Sequence, residues 1–163
     1  MTNINKQLES IDLSIKEIES LSYDLNGFTT QDGKVILKGF LKEKLSLATK
    51  FWLNELNASI LEILKNAETL KNDTIKSIGT EDENGNISIP IFLPGTEEKD
   101  ESGNIIKAEY NPKYLELQKE LEALYNQVKT LQYKPILLSE LENIISDDDY
   151  KILYKLIKQD NND

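Results

Sequence analysis

The sequence predicts a mainly α-helical protein, a long helical hairpin or small helical bundle with a short β-hairpin excursion at about residues 80–111. Two observations predict the helices: apolar residues recur at helical spacing through 35–78, and a second such stripe follows Pro112. A third observation predicts the excursion, because apolar and other residues alternate with a period of two between these segments. The 163 residues suit one domain, which we take as 1–163.

Residues 1–25 are predicted to form an N-terminal heptad helix. Its apolar residues follow alternating spacings of four and three, with Ser22 at the one polar step, which is typical of a coiled-coil seam. An exposed seam needs a partner helix, either in this chain or in a second copy. The predicted interface residues here are Ile4, Leu8, Ile11, Ile15 and Ile18.

Two long helices are predicted next. The first covers 35–78 and ends at Gly79, because glycine favours helix termination. The second covers 112–130, with Asn111 as its cap and Pro112 in its first turn. The two helices are expected to lie antiparallel.

The C-terminal part, 131–158, is predicted to hold a short strand and C-terminal helices. Ser139 and Glu142 have the spacing of a capping box. Ser146, followed by three aspartates, is expected to start the last helix, since acidic residues stabilise a helix N-terminus.

The excursion at 80–111 is predicted to contain two short strands, one from Ile87 to Leu93 and one in the segment NIIKAEY. Pro90 limits the first strand to a sheet edge, because proline has no N–H to donate to a neighbouring strand. A free strand edge is a docking element for another chain. The second group of predicted interface residues is therefore Ile87, Ile89, Ile91, Phe92 and Leu93.

Two nearly identical acidic segments, DENGNI and DESGNI, lie within this excursion. A calcium loop of the EF-hand type needs a bidentate glutamate at its twelfth position and glycine at its sixth. With Gly85 at the sixth position, the twelfth is Ile91, so the first segment fails; with Gly103, the twelfth is Glu109. Tight turns are the preferred interpretation of both, and a weak divalent-cation site near Asp100 stays open as the alternative.

The composition excludes several classes of function. The net charge is −10, and the chain has no arginine, histidine or cysteine. It therefore lacks the commonest general base, thiolate chemistry and the bidentate fork that recognises phosphate. We expect no enzyme activity, no cofactor, no metal, no direct nucleic-acid binding and no membrane insertion, with a carboxylate enzyme that uses a divalent metal as the weakest alternative.

Four segments in this order resemble a loose group of small helical proteins of tailed bacteriophages that have no characterised function. They are GFLKEKLSLATKFWLNELNASILEILKNAETL, DENGNI, YLELQKELEALYNQ and VKTLQYKPILLSELENIISDDDYKILYKLI, and together they cover about residues 36–157. Ser46 stands where the group tends to have proline, and the excursion at 87–110 is longer than usual. The resemblance implies a phage origin and transfers no catalytic motif.

These observations together predict a non-enzymatic structural or interaction protein, a virion or assembly component. Its expected partners are other virion proteins, copies of itself, or both. Its expected location is the host cytoplasm during assembly and then the virion. The alternative is a small acidic inhibitor of a host protein, of the anti-defence or DNA-mimic type, because the chain is strongly acidic.

Overall fold

The computed structural model of the chain describes residues 8–144 and 149–160. Within them, 47% of residues are helical and 22% lie in strands, which form small two-stranded sheets. The protein is thus mixed α/β, and the prediction of a mainly α-helical hairpin or bundle is wrong. The described residues form two compact units: a first unit, up to Leu64 and again from Gln127 onward, and a second unit, Lys65–Asn126.

The helices are α1 (Ile15–Asn26), α2 (Leu47–Ile78) and α3 (Pro112–Tyr125). The strands are β1 (Glu9–Ser14), β2 (Phe28–Thr29), β3 (Val35–Leu37), β4 (Thr80–Glu81), β5 (Ile87–Ser88), β6 (Glu98–Lys99), β7 (Ile105–Lys107), β8 (Val128–Tyr133), β9 (Ile136–Leu137) and β10 (Ile157–Lys158). Short 3₁₀ segments lie at Phe40–Lys42, Leu138–Asn143 and Leu153–Leu156. β1 pairs antiparallel with β8, β9 pairs parallel with β10, and the remaining strands form hairpins β2–β3, β4–β5 and β6–β7.

The predicted heptad helix is wrong over β1, where the chain is extended and pairs with β8. The helix begins only after Ser14, whose hydroxyl accepts the Glu17 N–H at 3.1 Å while the Glu17 carboxylate accepts the Ser14 N–H at 2.8 Å. This capping box fixes the start of α1. No coiled coil is formed by the described residues of this segment, and Ile4 lies outside them.

The core of the first unit lies where α1, α2 and the β1–β8 pair meet. Its buried apolar side chains come from distant parts of the sequence: Leu13, Ile18, Leu21, Leu25, Phe40, Leu45, Leu53, Leu56, Ile60, Leu131, Tyr133, Ile136, Leu153 and Leu156. Most of the apolar residues predicted as an exposed seam are thus covered by this chain itself, since Ile15 and Ile18 are buried and Ile11 is partly buried.

The long helix predicted over 35–78 starts later, as α2, and is about 48 Å long at 1.5 Å per residue. Gly39 has a φ of +98°, which a helix does not allow. Ser46 then marks the true start, because its hydroxyl accepts the Thr49 N–H at 3.3 Å. The predicted end is confirmed: α2 stops at Ile78, immediately before Gly79.

The second unit contains α3 and two hairpins rather than the single predicted β-hairpin. The predicted cap of α3 is confirmed, since the Asn111 side chain accepts the Lys113 N–H and Pro112 is the first helical residue. The same Asn111 side chain donates to the Pro90 carbonyl at 3.0 Å, which ties the helix start to the preceding extended segment. The helix ends at Tyr125 rather than at residue 130, because the chain enters β8.

The C-terminal helices predicted within 131–158 are wrong for the described residues, which there contain the end of β8, the strands β9 and β10, and 3₁₀ segments. The short strand predicted in the same range is present as β9. Ser139 does not cap a helix with its side chain; its N–H donates to Asp160 at 3.2 Å. The predicted helix start at Ser146 lies outside the described residues. Leu153 and Leu156 in the last 3₁₀ segment are buried.

Candidate interaction surfaces

The three hairpins share one turn, which explains both acidic segments. In each, the first turn residue donates its N–H to the carbonyl of the fifth, at 2.8 to 2.9 Å, and a glycine stands fourth with a φ of +81° to +84°. The first residue's side-chain oxygen also accepts the N–H of the fifth, at 2.9 to 3.1 Å. The first residues are Thr30, Asp82 and Asp100. The turn interpretation of DENGNI and DESGNI is therefore confirmed, and the segment TQDGK at 30–34 forms a third turn of the same type.

The carboxylates of Asp82 and Asp100 accept hydrogen bonds from backbone N–H groups of their own turns. Backbone N–H donors lower the pKa of Asp82 and of Asp100 below the usual value, chiefly those of Asn86 and Asn104. Within the part of the chain that the structure describes, no group of three or more acidic side chains is arranged to hold a metal ion. The carboxylate oxygens of Asp100 thus accept hydrogen bonds from Ser102 and Asn104 of the same turn.

Hairpins β2–β3 and β6–β7 also share an irregularity. In β2–β3, Phe28 pairs with Leu37 and Thr29 with Val35, so one residue of β3 is left unpaired. In β6–β7, Glu98 pairs with Lys107 and Lys99 with Ile105, which leaves one residue of β7 unpaired in the same way. A bulge of this kind bends the strand and increases its twist. Val35 and Ile36 are 62% and 52% exposed, and Ile105 and Ile106 are 45% and 66% exposed. Each unit thus presents one pair of exposed β-branched side chains on the same type of hairpin.

The second unit buries little apolar surface. All of its residues are described, and its buried apolar side chains are Ala67 and Leu117 alone. Its exposed large apolar side chains are more numerous: Leu70, Ile87, Ile91, Ile105, Ile106, Tyr110 and Leu115. Burial of apolar area contributes about 25 cal/mol of favourable free energy per Å². A partner that covers these side chains would therefore stabilise the second unit.

The predicted interface residues at 87–93 all belong to this second unit. Ile87 and Ile91 are exposed, whereas Ile89, Phe92 and Leu93 are partly buried. Phe92 pairs with Tyr110 across an isolated bridge, and their rings lie 5.2 Å apart. Whether these residues bind a partner stays a prediction. In the first unit, Leu8 is partly buried, and the burial of Ile15 and Ile18 leaves them without a free surface.

Two acidic side chains of the first unit have structural roles that the sequence did not reveal. Asp24 on α1 is 1% exposed, and its carboxylate accepts the N–H groups of Lys151, Ile152 and Leu153 at 2.7 to 3.1 Å. Such donors stabilise a buried carboxylate. Asp24 therefore attaches the C-terminal segment to α1.

Glu140 lies at the N-terminus of α2. Its carboxylate accepts hydrogen bonds from the Ser46 hydroxyl at 2.6 Å, the Thr49 hydroxyl at 2.9 Å and the Ser46 N–H at 3.3 Å. These donors, the Ser46 hydroxyl above all, lower the pKa of Glu140 from its usual 4.5. A negative charge here also interacts favourably with the helix dipole.

A cleft of about 310 Å³ lies beside the β2–β3 hairpin in the first unit. Its walls include Tyr23, Phe28, Ile36 and Leu37, and Asp24 and Lys151 also line it. The rings of Tyr23 and Phe28 meet edge to face, with centroids 5.5 Å apart. The cleft thus combines an apolar wall with one lysine.

Comparisons of the chain with protein-family models, with curated protein sequences and with solved structures found no match. Among the described residues, no helix has both the length and the apolar content needed to cross a bilayer.

Proposed function

We propose that the protein is a non-enzymatic interaction protein, a virion or assembly component of a tailed bacteriophage that binds other virion proteins. The observation that carries the proposal is the second unit, which exposes Ile91, Ile105, Ile106 and Tyr110 and buries only two apolar side chains of its own. Large apolar side chains that a protein leaves exposed in this number are a signal of an interaction site. The resemblance of residues 36–157 to small phage proteins supplies the phage context.

Copies of this chain are the less favoured partner for this surface. The chain carries a net charge of −10, and acidic residues cluster on both hairpins of the second unit, at 81–83 and at 97–101 apart from Lys99. Two such surfaces repel each other when they face each other. A different virion protein with a less acidic surface fits better.

The test has two parts. Mass spectrometry of purified phage particles should detect the protein in a fixed copy number per particle. Particles grown with the Ile106→Lys protein should then contain much less of it, because an ammonium group on an apolar contact surface must be desolvated. Ser102→Lys, which adds the same charge at an exposed turn position of the same hairpin, is the matched control and should leave incorporation unchanged.

An acidic inhibitor of a host protein is the second candidate, and the acidic hairpins favour it. Its binding would depend on charge and would be lost at about 0.5 M salt, where the Debye length is about 4 Å. An interaction protein of the virion would stay bound, since apolar contacts do not depend on screening. Absence of the protein from purified particles, together with salt-sensitive binding to a host protein, would transfer the assignment to the inhibitor.

A further inference from the structure

We propose that the cleft beside the β2–β3 hairpin is a second docking site, which takes an aromatic or aliphatic side chain of a partner protein that carries a carboxylate next to it. The inference rests on the proposed function, because it assumes that partners of this chain are proteins. It concerns the first unit, whereas the surface that carries the proposed function lies in the second.

The apolar part of this specificity comes from the walls. Tyr23, Phe28 and Ile36 are 44%, 43% and 52% exposed, although they line a concave surface. The volume of about 310 Å³ is at the small end of the range for ligand sites. Such a cleft accommodates one large side chain, and aromatic anchors in pockets of this kind provide much of the energy in protein interfaces.

The walls also favour a protein over a free small molecule. Small-molecule sites typically enclose most of their ligand, but here the walls themselves are about half exposed. A small ligand would leave those outer parts of Tyr23, Phe28 and Ile36 in water. A partner protein would cover them with the surface around its anchor.

The charged residues of the cleft indicate which residue of the partner should lie next to its anchoring side chain. Asp24 already accepts three backbone N–H groups and is 1% exposed, so its carboxylate oxygens are bound within this chain and are covered from solvent. Lys151 is exposed and forms no ion pair with the described residues. Lys151 is thus the exposed charged residue among those that line the cleft, and its ammonium group complements a carboxylate on a partner.

The experiment uses two matched peptides, acetyl-Gly-Trp-Glu-Gly-amide and acetyl-Gly-Trp-Gln-Gly-amide, titrated into the ¹⁵N-labelled full-length protein. We expect both to shift the amide signals of Tyr23, Phe28, Ile36 and Lys151, with the glutamate peptide binding about two- to fivefold more tightly, the range for a partly exposed ion pair. Lys151→Gln should abolish this difference, because it removes the ammonium group and keeps the backbone N–H that binds Asp24. Phe28→Ala should weaken both peptides.

Several results would overturn the proposal. One is the absence of shifts at these four amides at millimolar peptide; another is equal affinity of the two peptides for the wild type. Tight binding of N-acetyltryptophan with exclusion of both peptides would identify a small-molecule site instead. Shifts of the same amides on raising the protein concentration alone would identify a second copy as the occupant. The outcome is independent of incorporation into particles, so the failure of this inference and the failure of the proposed function are distinguishable. Phe51→Ala, which alters an exposed aromatic residue that does not line the cleft, is the control and should change neither affinity.

Discussion

Replacement of Asp24 by alanine should strongly destabilise the first unit, because this one carboxylate satisfies three backbone donors. Each donor left without a partner in a buried site costs about 1 to 3 kcal/mol. The segment at Lys151–Leu153 can move toward water and recover part of that cost, so the three losses do not add. We expect a net loss of about 3 to 5 kcal/mol, which is less than three such costs at their upper value would give.

Urea unfolding followed by fluorescence of the single tryptophan, Trp52, measures this loss. Amide hydrogen exchange adds a local readout, because the N–H groups of Ile152 and Leu153 should lose protection first. Asp24→Asn, which keeps one oxygen acceptor, should lie between the wild type and Asp24→Ala. Glu55→Gln, at an exposed position of α2, should stay within about 0.5 kcal/mol of the wild type. A loss below about 1 kcal/mol for Asp24→Ala, with exchange at Ile152 and Leu153 unchanged, would refute the reasoning.

Three further predictions follow from the geometry. Gly39→Ala should destabilise the protein by more than about 1 to 2 kcal/mol in urea unfolding, because the φ of Gly39 is +98° and a Cβ would lie 2.6 Å from backbone atoms of Asn26 and Gly27. Gly33→Ala is the control, because a Cβ there would meet no atom within 4 Å. It should show only the smaller cost of a positive φ. The pKa of Glu140 is lowered in the folded state, so the ionised side chain stabilises the protein above the ordinary carboxyl pKa, and this stabilisation is lost as the pH falls through the lower folded value. Glu140→Gln should therefore show a smaller fall of melting temperature on acidification than the wild type. An unchanged pH profile would contradict this role. Millimolar calcium should leave the melting temperature unchanged. A specific site, at a calcium concentration of a hundred times its Kd, would instead add about 2.7 kcal/mol to the free energy of unfolding. A clear rise in melting temperature that Asp100→Ala removes would show that such a site exists.

The N-terminal segment shows why the sequence misled on fold class. Ile11 and Ile15 are four residues apart, a spacing that fits a helix face as well as every second position of a strand. Leu13 lies between them, fits only the strand, and is 1% exposed in the structure. The pattern from Ser14 to Glu17 is also a capping box visible in the sequence, so the boundary between β1 and α1 was predictable.

Local signals predicted other features correctly. Asn111 and Pro112 marked a helix start, Gly79 marked a helix end, and the glycines of the two acidic segments marked turns, because each of these depends on neighbouring residues alone. The attachment of the C-terminal segment could not be predicted this way. Asp24 binds donors more than a hundred residues further along the chain, and a lone aspartate on a helix carries no signal of such a partner.

The bulged hairpins also change which part of the molecule is expected to make contact. The sequence favoured free strand edges as the docking elements, but a bulge disrupts the row of backbone donors and acceptors that edge pairing requires. Pro90 has no N–H to offer, and the strands of the second unit are only two or three residues long. What these hairpins do present is side chains, Ile105 and Ile106 among them. Binding through the second unit should therefore depend on apolar side-chain burial more than on added strands, which is why Ile106→Lys, rather than a proline at the strand edge, is the decisive substitution.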